Sequence, residues 1–490
     1  MLDITRLYFG RASAERDVLH DPDRFVDTYL DRWNLPDRVL DQETFLILGP
    51  KGSGKSAAAH YVALRWKREI GEHAVFTNFV DFDELNRSQS PLHSLEKKLV
   101  SGEVTALTDA AWKLFIGVRL LESLIKDEAC DLSRDPHAIK LLADLKSAGL
   151  ADDDYPKVLK RIRERKSTIS IPRIASTEWK ATDTESVSLP QLGDAVIRLA
   201  AASVTRNRHL LSIDGLDKAI GDNESYWRTL AALVRAADWI SQRLLREGNR
   251  SIFLLIMCRN DVFRRIHFAD SAKIAADGGI NIDWGAEAQD PRDVVLWDYV
   301  ARKARVDVDD LLNLLPDVVR VGPTARPIST LRYLLDFTRY TPRDMNLLFG
   351  SLKGRAFPGN SLSIAQVRSA ADSFSSSHLL SEILSEATGL LDQQVINRLP
   401  QILTALPGKE FTREALGSAI ESTGTKDLVT LDDLAEYLFL QGAIGNLRPG
   451  SGYVQFYHRR NTYDYNRSGP WLLHNGLMYA LNIPFSTKAR

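Results

Sequence analysis

Cysteine is almost absent from this 490-residue chain, which holds only Cys130 and Cys258. Two thiols so far apart exclude a disulfide framework and offer no ligand spacing for zinc. A reducing, cytoplasmic compartment is the natural expectation. No surplus of one charge exists either, since 63 Lys and Arg face 64 Asp and Glu. The protein therefore has no global field to draw it onto DNA or an anionic membrane, and any such contact must come from a local patch. Long apolar runs are missing too. "IFLLIMC" at 252–258 falls far short of the ~20 residues that cross a bilayer, so no membrane span is expected. The opening "MLDITRLYFGRASAERDVLH" scatters charges through its apolar residues, unlike a secretory signal. The histidines lack metal spacing, and no Ser-His-Asp or Cys-His assembly is legible.

What is present is strand-helix alternation. Residues 1–43 read as a mostly helical lead-in. Thr44 to Leu48 is apolar on both faces, as in a parallel sheet covered by helices, and Ser56 to Ile70 reads as the helix after it. A second strand ends near Asp81. Residues 88–195 read as a mainly helical insertion, with an amphipathic "AWKLFIGVRLLESLI" and a basic "KVLKRIRERK". The stretch "STISIPRIASTEWKATDTESVS" reads as loop. "HLLSI" and "SIFLLIMC" are further buried strands, joined by a long amphipathic helix. The fold class expected is α/β, a parallel-sheet P-loop core over 44–283 with the helical insertion. A helical lid at 284–375 and a C-terminal helical, winged-helix domain at 376–490 complete the expected organisation.

Four motifs carry chemistry. Gly49 to Ser56, "GPKGSGKS", matches G-x-x-x-x-G-K-[ST] in full, between a buried strand and a helix. Gly49, Gly52, Ser53 and Gly54 let successive N–H groups curl around a β-phosphate. Lys55 reaches the β- and γ-phosphates, and Ser56 supplies a hydroxyl to Mg²⁺. Lys51 lies in the variable part of the loop, solvated or on a phosphate edge. An acid at the end of another buried strand should hold the ion through water, and "HLLSIDGLDK" offers Asp214. Asp217 either polarises the attacking water or caps the next helix. Arg259, at the end of the "SIFLLIMC" strand, would face the crevice at the sheet's carboxyl edge, either sensing the γ-phosphate or pairing with Asp214 or Asp217. In "YTPRDMNLLFGSLKG", Pro342 after Thr341 reads as a helix start, placing Arg343 in the first turn as a second phosphate contact or a salt-bridge partner. No N/T-K-x-D segment selects guanine, so ATP with Mg²⁺ is the cofactor expected.

Near the C-terminus, "FTREALGSAIES" and "LVTLDDLAEYLFLQGAIGN" read as two helices with Thr caps. "LRPGSGYVQFYHRRNTYDYN" then reads as a turn and an edge strand, the outline of a winged helix. Arg448, His458, Arg459, Arg460 and Arg467 make this wing basic, which suits DNA backbone contact or packing on the protein's own core.

With these motifs in hand, the chain resembles a known group. "DGLD" after an apolar strand resembles the acidic motif of STAND-type NTPases, particularly the NACHT pattern, and "LLIMCR" their sensor strand. "YFGRASAERD", "GPKGSGKSA", "SSSHLLSEI" and "FLQGAIGN" with "WLLHNGLMYALNIP" are similar to bacterial FunZ-like P-loop ATPases. The resemblance implies an ATP-driven switch, often in stress or phage-defence settings, with Asp214, Asp217 and Arg259 in the nucleotide site. Lys218 stands where the NACHT pattern has an acid, which implies slow or partner-stimulated hydrolysis. No fused effector is recognisable, so signalling would run through a separately encoded partner or through the helical insertion. A nucleotide-dependent homo-oligomer is expected, with Arg264 or Arg265 as candidates to serve a neighbouring subunit. Three functions follow: a STAND-like regulatory ATPase, a DNA-binding ATPase anchored by its winged helix, and a non-hydrolysing scaffold stabilised by nucleotide.

Overall fold

The computed structural model describes residues 2–81, 101–151, 168–172, 184–215, 224–266, 268–284, 290–321, 325–388, 390–448, 450, 453–459 and 464–483. They form two compact units. The first comprises Asp31–Gly49 and Lys55–Asn281, the second Met1–Leu30, Pro50–Gly54 and Ile282–Arg490.

The first unit is built on five strands: β1 (Leu46–Gly49), β2 (Val75–Asp81), β5 (Arg208–Asp214), β6 (Ile252–Arg259) and β7 (Gly279–Asn281). Their order is β2-β5-β6-β1-β7, and every pairing is parallel. β6 is buried at all of its positions, the continuous apolar signature of a sheet covered on both faces. β7 escaped the sequence reading because three residues are too few to show a period. The register aligns Gly49 of β1 with Arg259 of β6, and Asp81 of β2 with Asp214 of β5. All four therefore sit at the carboxyl edge, where parallel sheets hold ligands.

The helix Lys55–Ile70 buries Ala58, Ala59, Val62, Ala63 and Trp66, a stripe at three- and four-residue spacing. Its alanines allow close approach to the sheet, and Trp66 meets Phe253 with ring centroids 4.7 Å apart. The stretch 111–125 is not one-faced as expected. Trp112, Leu114, Phe115, Ile116, Val118, Leu120 and Leu121 of the helix Ser101–Lys126 are all buried, as in a helix packed on every side. Gly117 and Gly193 open the way for its neighbour Leu189–Ala202. A Cβ on Gly117 would lie 3.0 Å from Val196, and one on Gly193 3.1 Å from the Ala110 carbonyl.

The expected loop at 167–188 holds an antiparallel pair, β3 (Thr168–Pro172) and β4 (Thr184–Ser188). Its many Thr and Ser residues look like loop, yet β-branched residues also suit a pleated pair. "KVLKRIRERK" lies outside the described residues.

In the second unit, the N-terminal segment packs along the helix Pro342–Arg355. Phe9 meets Phe349 at 5.0 Å, and the Lys353 ammonium donates to the Leu7 carbonyl at 2.8 Å. Thr341 caps that helix, accepting from the Asp344 N–H, as the Thr-Pro pair predicts. The helix Ile364–Phe374 runs through a π-helical turn, Ser375–Leu379, into Leu380–Glu386. A hairpin of β8 (Val318–Val321) and β9 (Arg326–Ser329) interrupts what reads in sequence as purely helical.

The C-terminal part is a winged helix. After the helices Gln393–Thr404, Arg413–Ser422 and Leu431–Leu440 comes a four-stranded sheet ordered β10-β13-β11-β12. Its strands are β10 (Glu410–Phe411), β11 (Ile444–Leu447), β12 (Val454–Gln455) and β13 (Trp471–Leu473). Thr412 and Thr430 cap the last two helices as expected. β12 is an edge strand, but it covers only part of "YVQFYH".

Candidate nucleotide site

The motif 49–56 divides between the units at Gly49/Pro50 and Gly54/Lys55. Gly52 and Gly54 have φ of +79° and +96°, in the region where L side chains are strained, so the glycines make the curled path accessible. A Cβ on Gly52 would stand 3.2 Å from the Thr341 hydroxyl and 3.3 Å from the Arg343 Cβ. Ser53 is fully buried and its Oγ has no hydrogen-bond partner. A buried hydroxyl left open costs free energy unless something accepts from it or donates to it. A phosphate oxygen is a fitting acceptor.

Lys55 opens the helix after the loop. It is 7% exposed, and its Nζ donates to the Gly49 carbonyl at 3.2 Å, curled over its own loop. Ser56 Oγ donates to the Asp214 carboxylate across 158 positions of sequence. The other Asp214 oxygen accepts from the Gly215 N–H at 2.8 Å. A hydroxyl and a carboxylate that already touch are the donor set a hard divalent cation takes, one oxygen from each. The residues present therefore fit both a phosphate chain and Mg²⁺.

Among the described residues Arg259 pairs with Asp261 and not with Asp214, and its alternative partner Asp217 lies outside them. Its guanidinium takes Asp261 bidentately, Nε to Oδ1 at 2.9 Å and Nη2 to Oδ2 at 2.6 Å. Burial alone would raise the Asp261 pKa, but the Arg259 charge prevails and holds it below the usual value. Arg264 and Arg265 are exposed at the end of the short helix Asn260–Arg265, with Arg265 5.9 Å from the Trp227 ring centroid. Asp217 and Lys218 lie outside the described residues.

In the second unit Arg343 donates from Nε to the Ala12 carbonyl at 3.1 Å and pairs through Nη1 with Glu382 at 3.0 Å. Ala12 is among the residues lining an open cavity of about 750 Å³, with Gly10, Asn346 and Gly350. Lys51 pairs with Glu382 at 3.4 Å and Glu386 at 3.1 Å. Arg339 is buried beside the same carboxylates and Asp344, and His378 bridges Asp344 and Glu382 at 3.2 and 3.0 Å. This cluster was not found from sequence. The available signal was the four-residue spacing of His378, Glu382 and Glu386, which puts all three on one helical face. Asp344, His378 and Glu382 are close enough to share a metal ion. Arg339, Arg343 and Lys51 already neutralise those carboxylates, so the cluster is an ion-pair network rather than a cation site.

The wing is less basic at its surface than its sequence. His458 is buried against the Gly442 turn, where a Cβ would stand 2.5 Å from its Nδ1. Arg459 turns inward to Asp336 at 2.6 Å, and its guanidinium carbon lies 5.6 Å from the Tyr340 ring centroid. Arg448 and Arg467 are exposed, and Arg460 lies outside the described residues.

A Ser-His-Asp arrangement does exist, contrary to the sequence reading. Ser123 Oγ is 2.8 Å from His209 Nδ1, and His209 Nε2 is 3.2 Å from Asp127. His209 is fully buried and stacks on Phe76, while Asp127 also accepts from Thr205 and Asn207. Saturated and sealed, it ties a helix end to the start of β5, at the opposite end of that strand from Asp214.

No protein-family model matches the chain, and no curated protein sequence does. Among solved structures it is similar to the Aeropyrum pernix Orc1 protein in complex with DNA. That likeness has a TM-score of 0.39 and 12% identity and covers 95% of each chain. So distant a likeness says nothing about activity, and the functional reading rests on the geometry. Among the described residues, no helix is long and apolar enough to cross a membrane.

Proposed function

We propose that this chain is an ATP-binding P-loop ATPase that works as a slow, nucleotide-controlled switch of the STAND type. The contact between Ser56 and Asp214 carries the reading, because a full phosphate-loop motif and a strand-end carboxylate meet where a nucleotide's metal ion would need both. Bound ATP and Mg²⁺ would supply a phosphoanhydride and a Lewis acid polarising it. Lys55 leaves the Gly49 carbonyl to neutralise phosphate charge. Ser56 and Asp214 hold the ion. Asp217 would orient the attacking water, and Arg259, held by Asp261, would sense the terminal phosphate.

A DNA-binding ATPase is the second reading, favoured by the winged helix with Arg448 and Arg467 at its surface. Phosphate release from ATP, with and without duplex DNA, separates the two for wild type, Lys55→Ala and Asp217→Ala. Slow release indifferent to DNA and lost in both variants supports the switch. DNA-stimulated release supports the second reading. Bound nucleotide with no release in any condition leaves a nucleotide-stabilised scaffold and removes the enzyme.

A further inference from the structure

The motif "SSSHLLSEI" is conspicuous in the sequence, yet it supplies nothing to the phosphate chemistry above. Its Glu382, with Glu386 one turn on, is buried in the segment Ser375–Glu386, and His378 is half-buried beside them. That segment holds a residue of the phosphate loop. Lys51 Nζ lies 3.1 Å from Glu386 and 3.4 Å from Glu382, whose side chains are 3% and 8% exposed. Glu382 also takes Arg343 and Arg339, and Arg343 packs against Gly52. A second observation agrees. Residues Pro50–Gly54 belong to the same compact unit as Leu380–Glu386 and not to that of the strand and helix that flank them in sequence. The π-helical turn just before Glu382 is a kind of irregularity that concentrates at functional sites.

We propose that Glu382 and Glu386 are positioning residues of the nucleotide site, fastening the phosphate loop to the helix Leu380–Glu386 through Lys51 so that its N–H groups are set for phosphate before the nucleotide arrives. The proposal rests on the nucleotide reading of the loop. A glycine-rich loop has more freedom to lose on binding than most segments, and fixing it beforehand removes that cost from the affinity. The carboxylates are buried although Lys51 is 27% exposed, so solvent screens these pairs less than it would a surface pair. The carboxylates do not repel an incoming phosphate. Asp344, Glu382 and Glu386 carry three negative charges against four positive ones on Lys51, Arg339, Arg343 and protonated His378, leaving the cluster net positive. Lys51 thus acts through the loop's backbone and not as a phosphate ligand.

The test is nucleotide affinity of the full chain by calorimetry, with ATP, ADP and AMP, for Lys51→Met, Glu386→Gln and the double variant. Each single change is expected to weaken ATP and ADP alike, about fivefold to tenfold, and the double to be no weaker than either single, since one interaction is being removed from two sides. AMP, which lacks the β-phosphate, is expected to be unaffected. Tighter ATP binding in Glu386→Gln would mean that the carboxylate competes with phosphate, and it overturns the proposal. So does a Lys51→Met loss confined to ATP with Glu386→Gln silent, which makes Lys51 a γ-phosphate ligand. Should Glu386→Gln fail to fold, Lys51→Met and Lys51→Arg still report the pair, with the arginine expected to restore affinity. Lys55→Ala keeps the two ideas apart. If wild type binds no ATP, or Lys55→Ala binds as well as wild type, the nucleotide reading fails. If Lys55→Ala abolishes binding while Lys51→Met and Glu386→Gln leave it unchanged, only the tether fails.

Discussion

Ser56 and Asp214, 158 positions apart, share a hydrogen bond at the carboxyl edge of the parallel sheet. One hydroxyl at a helix start and one carboxylate at a strand end are weak ligands alone. Together they would offer a metal ion two oxygens beside the glycine loop. Either substitution, Ser56→Ala or Asp214→Asn, should therefore abolish the effect of Mg²⁺ on ATP affinity. ATP titrations with Mg²⁺ and with chelator should differ by tenfold or more in wild type and coincide in both variants.

Gly52 and Gly350 should respond to alanine with opposite signs. Gly52→Ala forces a φ of +79° on a side chain that would press on Thr341 and Arg343, so it should destabilise by about 1–2 kcal/mol and weaken ATP. Gly350 lies inside the helix Pro342–Arg355 with open space around its missing Cβ. Gly350→Ala should gain about 0.5–1 kcal/mol from helix propensity. Chemical denaturation of the two variants measures both.

His378 gives the second unit a stability that depends on pH. Burial alone would lower its pKa, but hydrogen bonds to Asp344 and Glu382 prevail and raise it to about 9 from 6.5. A pKa raised in the folded state stabilises fully below 6.5, less as pH climbs, and not at all above about 9. The Asp344 and Glu382 carboxyls are held below their usual values, chiefly by Arg339 against the opposing effect of burial, so they stay charged over that window. Thermal melts from pH 6.5 to 9.5 should show wild type losing stability, and His378→Gln should flatten that loss.

The wing arginines should separate by role. Arg459→Ala breaks a pair with Asp336 and should lower the melting temperature without changing the salt dependence of any DNA binding. Neutralising Arg448 and Arg467 together should, if duplex DNA binds, cut the slope of log affinity against log salt by about two. Titrations across salt concentrations read the slope directly.

Legibility in the sequence followed the range of the interaction. Strand periodicity, the glycine loop with its helix, the Thr-Pro cap and the two Thr caps of the winged helix were readable because each is a local rule within a few residues. β3, β4, β8 and β9 were not, since strands of four or five residues are too short to show a strong period. The pairing of Arg259 with Asp261 was open to sequence in principle, two residues apart, yet crevice geometry made more distant acids look equally suitable. Arg459 looked like part of a basic surface because charge alone does not say which way a side chain turns.

By itself the sequence determined that a glycine loop joins a buried strand to a helix, which strands are buried and which acid ends a strand, because backbone conformation and burial are written in residue type and spacing. Only the tertiary structure decided the partners. That Asp214 meets Ser56, and that Lys51 is held by Glu382 and Glu386, depends on which strands lie side by side and on where a distant helix comes to rest. Ion pairs of this kind carry no periodic trace in the chain, since a charged residue looks the same in sequence whether it ends in water or in a buried network.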